Sequence, residues 1–198
     1  GTSQGVPVIA CDCEVCFSND PKDKRLRSSV MFTVNGKNLV VDTGPDFRQQ
    51  MLRENVQNIE AILFTHSHKD HTAGLDDVRA FNFKHKKDMP IYCEGNVLEQ
   101  LKKEFNYIFD EKFDYPGIPK IKSNIINQEV FFIDDIKVTP IRGFHYKLPV
   151  LGFRIGDVAY ITDMNSIPEV EFKKLKNLKT FVINALRKET HISHFNLN

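Results

Sequence analysis

The sequence predicts a layered α/β domain in which two mixed β-sheets are covered on the outside by helices. Predicted strands outnumber predicted helices, and they are connected both by hairpins and by intervening helices. The hairpins are predicted at Asn35-Gly36 and Gly156-Asp157, where glycine permits a tight turn. No repeat, low-complexity tract or Pro/Ser-rich linker divides the 198 residues, so we expect one domain over residues 1–198.

Hydrophobic periodicity and turn residues place the individual elements in this domain. Helices are predicted over 45–55, with Pro45 in the first turn, over 70–83 and over 96–109. In the second of these, Leu75, Val78, Ala80 and Phe81 approximate one apolar face. Strands are predicted within 29–44 (two strands), 59–65, 89–94, 129–141, 150–163 (a hairpin) and 180–186.

Composition and charge exclude several classes of protein. A formal net charge of +1 provides no overall attraction to nucleic acid or to an anionic membrane surface. No run of about 18 or more apolar residues occurs, so we predict no transmembrane helix, and we expect no signal peptide. Three of the four cysteines crowd into "CDCEVC", a poor disulfide framework, which favours a reducing compartment and predicts a cytoplasmic protein.

The segment "THSHKDH" (65–71) carries four side chains that bind metals, directly after a predicted buried strand. Neutral imidazoles and carboxylates supply the lone pairs that divalent cations need. One ion cannot readily use all four ligands from so short a stretch. We therefore expect His66 and His68 to bind one ion, and Asp70 and His71 to bind another.

Each ion then needs ligands from distant positions. His145 in "RGFHYKLP" and Asp163 in "YITD" both lie at predicted strand ends, where a sheet edge would bring them beside the cluster. These two residues are the candidates for the remaining ligands.

Four motifs in succession resemble those of the metallo-β-lactamase fold: "VDTG" (41–44), "THSHKDHTAG" (65–74), the lone His145 and "YITD" (160–163). The resemblance implies an αββα sandwich that lacks its N-terminal strand and C-terminal elements within these residues. It implies one metal bound by His66, His68 and His145, a second bound by Asp70 and His71, and Asp163 between them. Asp42 would orient the cluster or a nearby loop from outside the ligand set. The family's usual last ligand is a histidine further along the chain. His191 or His194 could be taken for it, but they directly follow a predicted strand and look like a different element, so we expect the last ligand beyond residue 198.

Two further motifs narrow the resemblance to PhnP-type phosphodiesterases. Cys11, Cys13 and Cys16 are spaced to share a structural zinc, which needs a fourth ligand. "GLDDVR" directly follows the metal motif. That group completes its structural zinc with a late histidine, which would also lie beyond residue 198. We therefore expect these residues to be part of a longer chain.

The resemblance implies hydrolysis of a small or cyclic nucleotide-like phosphodiester. Two zinc or manganese ions about 3.5–4 Å apart can hold a bridging hydroxide as the nucleophile, and Asp163 would orient it. His194 is the candidate general acid, with His191 in reserve, since histidine titrates in the useful range. Two surface histidines without a role are the plain alternative. Arg79 is expected to pair with Asp76 rather than to bind phosphate.

Two other functions stay open at this point. A tRNA-processing nuclease of the same superfamily would need a basic surface or arm, but the lysines are scattered among acidic residues. A non-catalytic metal-binding or carrier relative would be expected to have lost ligands, whereas this motif is full. We therefore expect a small-molecule phosphodiester as the partner, and neither nucleic acid nor membrane. A homodimer is left open.

Overall fold

A five-stranded mixed sheet forms the first half of the protein, whose computed structural model describes residues 3–110, 112–113 and 115–197. The strand order is β1-β2-β3-β4-β5, and only the first pair is antiparallel. The strands are β1 (Val30–Val34), β2 (Lys37–Val41), β3 (Ala61–Leu63), β4 (Met89–Cys93) and β5 (Ile121–Ile125). The predicted hairpin at Asn35-Gly36 is confirmed, whereas β5 was not predicted.

The second sheet has the order β10-β9-β8-β7-β6, and only β9 and β10 run parallel. The predicted hairpin at Gly156-Asp157 is confirmed, and the structure adds hairpins at 134–135 and 146–147. The strands are β6 (Phe131–Ile133), β7 (Ile136–His145), β8 (Leu148–Ile155), β9 (Val158–Tyr160) and β10 (Thr180–Val182).

Two apolar layers hold the sheets in place: one packs the first sheet against the helices, and the other packs the two sheets against each other. In β2, Leu39 and Val41 face the second sheet, whereas Val40 between them faces the helices, as the two-residue period of a strand requires. The inner layer joins them to Leu151 and Phe153 of β8, all fully buried. Burying a side chain of this size contributes about 1.5–3 kcal/mol. The two sheets therefore pack face to face with helices outside, which confirms the predicted αββα sandwich.

The helices of the described residues are short. None of those helices is long and apolar enough to cross a membrane. They are α1 (Glu14–Phe17), α2 (Phe47–Arg53), α3 (Lys69–Thr72), α4 (Arg79–His85), α5 (Gly95–Glu104) and α6 (Asn106–Phe109), with 3₁₀ turns at Pro21–Asp23, Leu75–Val78 and Glu169–Leu175.

Helix α2 begins at Phe47, so the prediction that Pro45 lies in its first turn is wrong. The carboxylate of Asp46 does not cap the helix. It instead accepts hydrogen bonds from the backbone N–H of Arg27, at 2.8 Å, and from the Arg27 guanidinium, at 2.9 Å. This tertiary contact holds the chain outside helical geometry until Phe47.

The prediction of one helix over 70–83 is also wrong, because the segment breaks into α3, a 3₁₀ turn and α4. At the break, the N–H of Gly74 donates to the carbonyl of Thr43 at 2.8 Å. A Cβ atom on Gly74 would lie 2.3 Å from the carbonyl oxygen of Gly44. The two glycines therefore let the loop after β2 lie directly against the histidine motif.

Ion pairs connect the two sheets at both ends. Arg142 of β7 is nearly buried, and its guanidinium forms a bidentate pair with Glu94, which follows β4. At the other end, Lys37 contacts both Asp134 and Asp135 at 2.8 Å, linking the β1–β2 turn to the β6–β7 turn. The nearly buried pair of Arg142 and Glu94 therefore links the two sheets near the site, whereas the exposed pairs of Lys37 add little to their stability.

Candidate metal centre

The candidate site lies at one edge of the sandwich, where segments from both sheets meet. Asp42 directly follows β2, and His66, the first histidine of the motif, lies three residues after the end of β3. From the second sheet, His145 is the last residue of β7 and Asp163 lies three residues beyond β9. The N–H of Leu151 donates to the carbonyl of Thr65 at 3.0 Å, which joins β8 to the histidine loop.

Asp42 is fully buried beneath the histidines and organises them. Its Oδ1 accepts the backbone N–H of Thr65 at 2.8 Å. Its Oδ2 accepts the hydroxyl of Thr65 at 2.8 Å and lies 2.7 Å from Nδ1 of His71. The backbone of Asp42 has φ 64°, a region that aspartate adopts more readily than most residues. These contacts support the predicted role of Asp42 as the residue that orients the cluster.

The hydrogen bonds around Thr65 fix the tautomer of His66. The single hydroxyl hydrogen of Thr65 goes to Asp42, so the hydroxyl oxygen can only accept from Nδ1 of His66, 2.9 Å away. Nδ1 therefore carries the hydrogen, and Nε2 presents a lone pair. Nε2 is buried and has no hydrogen-bond partner among the described residues. A buried lone pair without a partner is what a metal ligand presents before its ion binds.

His71 and His145 are held in the same way. Nδ1 of His71 donates to the carboxylate of Asp42, and Nδ1 of His145 donates to the carbonyl of Ser193 at 2.8 Å. In each ring Nε2 is left to face the groove. Metal-binding histidines almost always bind an acceptor through their other nitrogen in this manner.

The donor atoms converge in two overlapping groups. One atom from each of His66, His71 and Asp163 lies within 4.8 Å of the other two, and the same holds for His145, Asp163 and His194. Asp163 belongs to both groups, as expected for a residue between two ions. The predicted role of His194 as general acid stays a prediction, and its position beside His145 also makes it a candidate ligand.

The remaining predicted ligands lie at the rim of these groups. The ring of His68 is exposed, with its centroid 4.5 Å from that of His66 and 5.3 Å from that of His145. Oδ2 of Asp70 is 3.3 Å from Nε2 of His71. All six predicted ligands are thus brought together. The division of these ligands between two ions stays a prediction.

Burial and charge set the protonation of the cluster. Burial lowers the pKa of His66 well below its usual value, and the neighbouring His71 lowers it further. Burial also opposes charge on His71, but Asp42, Asp163 and Asp70 raise its pKa well above the usual value. For Asp163, burial opposes ionisation, but the hydrogen bond and charge of His71 hold its pKa well below the usual range. The groove therefore carries negative charge that a cation can balance.

These residues fit divalent cations. His66 and His145 present Nε2 lone pairs from fixed tautomers, the Asp163 carboxylate is ionised, and Nε2 of His66 lacks a partner among the described residues. Asp42 fixes His71 through Nδ1, and a bound cation would take the place of the proton that the raised pKa keeps on its Nε2. Nitrogen and carboxylate oxygen together suit zinc and also manganese.

Residues that the sequence did not single out hold Asp163 and His194 in place. The side chain of Asn184 bonds the backbone N–H and the carbonyl of Met164, at 3.1 and 2.9 Å. The same carbonyl accepts the N–H of Phe195 at 2.7 Å, which ties the "HISH" segment to the loop after β9. Thr65 was also missed, although its place beside the first histidine of the motif was a usable signal.

Other predicted residues are placed as follows. The ring centroid of His191 lies 5.0 Å from that of His194, and His191 belongs to neither donor group. His191 therefore lies further from the cluster than His194 does. Arg79 pairs with Asp76, as predicted.

The three clustered cysteines lie near the surface, at the start of the chain. Their Sγ atoms lie within 4.8 Å of one another. The pKa of Cys13 is lowered, first by a backbone hydrogen bond from Cys16 and then by the side chain of Cys11. A hydrogen bond from the backbone of Val8 lowers the pKa of Cys16, but burial and the neighbouring thiols Cys11 and Cys13 raise it above its usual value. Three cysteine sulfurs this close together fit a shared zinc ion, which binds them as thiolates. In the part of the chain that the structure describes, this group contains three ligands.

The chain is similar to known proteins in both sequence and structure. The pattern of the family described as "Beta-lactamase superfamily domain" matches residues 37–198. A crystal structure described as that of a new diphosphatase from the PhnP family is 39% identical, with a TM-score of 0.91. That comparison covers 100% of this chain and 75% of the other chain.

The chain matches part of each of two curated relatives, both of which are longer proteins. An octanoyltransferase of Porphyromonas gingivalis is 40% identical over 197 residues, which are 98% of this chain and 39% of that protein. Coenzyme PQQ synthesis protein B of Methylobacterium nodulans is 30% identical over 120 residues, 54% of this chain and 38% of that protein. The chain therefore spans about two fifths of the length of these relatives. With its αββα fold and its histidine and aspartate cluster, the chain belongs to the metallo-β-lactamase superfamily, near the PhnP branch.

Proposed function

We propose that the protein is a metal-dependent hydrolase of small or cyclic nucleotide-like phosphodiesters. The observation that carries the proposal is the convergence of donor atoms from both sheets around Asp163, with Nε2 of His66 buried and without a partner in the described part of the chain. Two divalent cations held there, zinc or manganese, would supply activation of water and neutralise charge on the phosphoryl oxygens. A structural zinc on Cys11, Cys13 and Cys16 is part of the same proposal.

The residues of the chain have distinct roles in this reaction. Asp42 fixes the orientation of His71 directly and that of His66 through Thr65. The ionised carboxylate of Asp163 faces both halves of the donor cluster and would accept a hydrogen bond from the attacking water. His194 lies 4.8 Å from His145, ring to ring, and would give a ring-nitrogen proton to the leaving oxygen.

A second candidate is hydrolysis of a diphosphate bond. It is favoured by the 39% identical crystal structure, which is described as a diphosphatase. A phosphodiester and a diphosphate bridge are both broken by attack on phosphorus, so the same donor cluster can serve either. Octanoyl transfer is not part of the proposal, because the relative with that name is matched over only 39% of its length.

The proposal predicts that the zinc- or manganese-loaded protein hydrolyses bis(p-nitrophenyl) phosphate, and that His68→Ala lowers kcat/KM by about 100-fold or more. The expected loss follows from removing one donor of the cluster. His85→Ala is the matched control, because His85 is an exposed histidine at the end of α4, bonded to the carbonyl of Gln57. Release of p-nitrophenol measures turnover in all three proteins.

The same assay separates the alternatives. A nucleotide with a diphosphate bridge, supplied in parallel, should be hydrolysed faster than any diester if the second candidate is right. Metal binding without hydrolysis of either substrate would contradict both candidates and favour a non-catalytic carrier. Equal losses in His68→Ala and His85→Ala would show that turnover does not come from this site.

A further inference from the structure

One aromatic residue beside the site has a strained backbone. Among the described residues, most non-glycine residues with positive φ are asparagine or aspartate, which tolerate that region. The exceptions are Ala10, Lys86 and Tyr146, with φ of 62°, 53° and 58°. Lys86 follows helix α4, where a left-handed residue is a common helix end. Tyr146, a bulky residue in a hairpin turn, is the unusual member.

The turn at Tyr146 is held by the loop that carries Asp163. The N–H of Tyr146 donates to Oδ1 of Asn165 at 2.7 Å, and the N–H of Asn165 donates to the carbonyl of Phe144 at 2.9 Å. These contacts fix a conformation that glycine would adopt without strain. Strained residues persist where the surroundings determine them, and they cluster at ligand-binding positions.

Core packing does not account for tyrosine at this position. The residue is 52% exposed, so its ring contributes little to any apolar layer. Its neighbour in sequence is His145, and adjacent Cα atoms are about 3.8 Å apart. Tyr146 therefore begins at the edge of the donor groove, and its side chain is exposed to solvent there. The ammonium of Lys147 lies 5.4 Å from the centre of the Tyr146 ring.

We propose that Tyr146 is the stacking platform for a planar ring of the substrate, a nucleobase, with the Lys147 ammonium beside it as a charge for a phosphate. This inference rests on the proposed phosphodiesterase function and names the class of substrate more closely. Bases stack on aromatic side chains whatever their identity, because every base has a flat π-face. Tyr146 is thus a substrate-binding residue and takes no part in bond cleavage.

The test compares two p-nitrophenyl diesters, one carrying thymidine and one carrying a methyl group. In Tyr146→Gly, KM for the thymidine diester should rise by roughly 5- to 150-fold, the range that loss of one stacked base produces. KM for the methyl diester and kcat for both should stay unchanged, and Tyr146→Phe should restore the wild-type KM. Lys86→Gly, which replaces a strained residue away from the site, is the matched control and should change neither diester.

A binding measurement keeps this test independent of turnover. Calorimetry should show weaker binding of thymidine 5′-monophosphate to Tyr146→Gly, with binding of inorganic phosphate unchanged. Equal KM shifts for the two diesters, or equal Kd shifts for the two ligands, would overturn the stacking role. The wild-type protein could hydrolyse neither diester and still bind thymidine monophosphate more tightly than Tyr146→Gly does. In that case the phosphodiesterase proposal fails while the aromatic subsite stands.

Discussion

Replacing Asp163 with asparagine is expected to lower kcat/KM for bis(p-nitrophenyl) phosphate by roughly 10²- to 10³-fold, the scale for loss of one strong electrostatic contact at a reacting centre. Asp163 is the residue shared by the two donor groups, so the substitution weakens both together. It also removes the negative charge of the carboxylate, which His71 keeps ionised by lowering its pKa. Metal content measured on the same preparation should fall in parallel.

Asp157→Asn is the control for this prediction. Asp157 lies in the β8–β9 turn of the same sheet and pairs with Lys179 on the surface. Its substitution should leave turnover and metal content unchanged and change the free energy of unfolding by less than about 0.5 kcal/mol. Full activity in Asp163→Asn would contradict the assignment of Asp163 to the centre of the site.

Replacing Asp42 with asparagine is expected to lower metal affinity by about 10- to 100-fold, the usual cost of losing a residue that orients metal ligands. The carboxylate accepts three hydrogen bonds, and an amide cannot accept all of them because one oxygen becomes an NH₂ donor. At least one buried donor then lacks its acceptor, which lowers the free energy of unfolding by about 1–3 kcal/mol. Metal titration and urea unfolding measure the two effects.

Asp134→Asn is the control for placing asparagine at a residue with positive φ. Asp134 also has positive φ, at 52°, but its carboxylate is exposed at the β6–β7 turn. Asparagine should therefore be tolerated there, with metal affinity unchanged. If Asp42→Asn bound metal as tightly as the wild type, the histidine tautomers would not depend on Asp42 and this account of their orientation would be wrong.

Local patterns predicted those parts of the protein that depend on nearby residues. The hairpins at Asn35-Gly36 and Gly156-Asp157 follow from turn chemistry, and the histidine motif was recognisable because its donors lie within six positions. The two mixed sheets followed from the way the strands are connected. In each case the signal and the structure that it specifies lie close together in the chain.

The features that were missed depend on contacts between distant segments. The helix predicted over 70–83 breaks because Gly74 meets the loop at Gly44, about 30 residues earlier, a contact that periodicity cannot reveal. Asn184 supports Met164 across 20 positions, and the carbonyl of Ser193 orients His145 across 48. A backbone carbonyl carries no sequence signal, so this last support could not have been predicted.

Titration of the metal-free groove with Mn²⁺, with the cysteine cluster kept loaded with zinc, tests the central claim most directly. Hydrolysis of bis(p-nitrophenyl) phosphate is recorded against the equivalents of Mn²⁺ bound per chain. We predict no turnover without metal in the groove, and a rise that reaches its plateau only when a second ion has bound. Turnover that is independent of bound metal, or two bound ions without any turnover, would contradict the account.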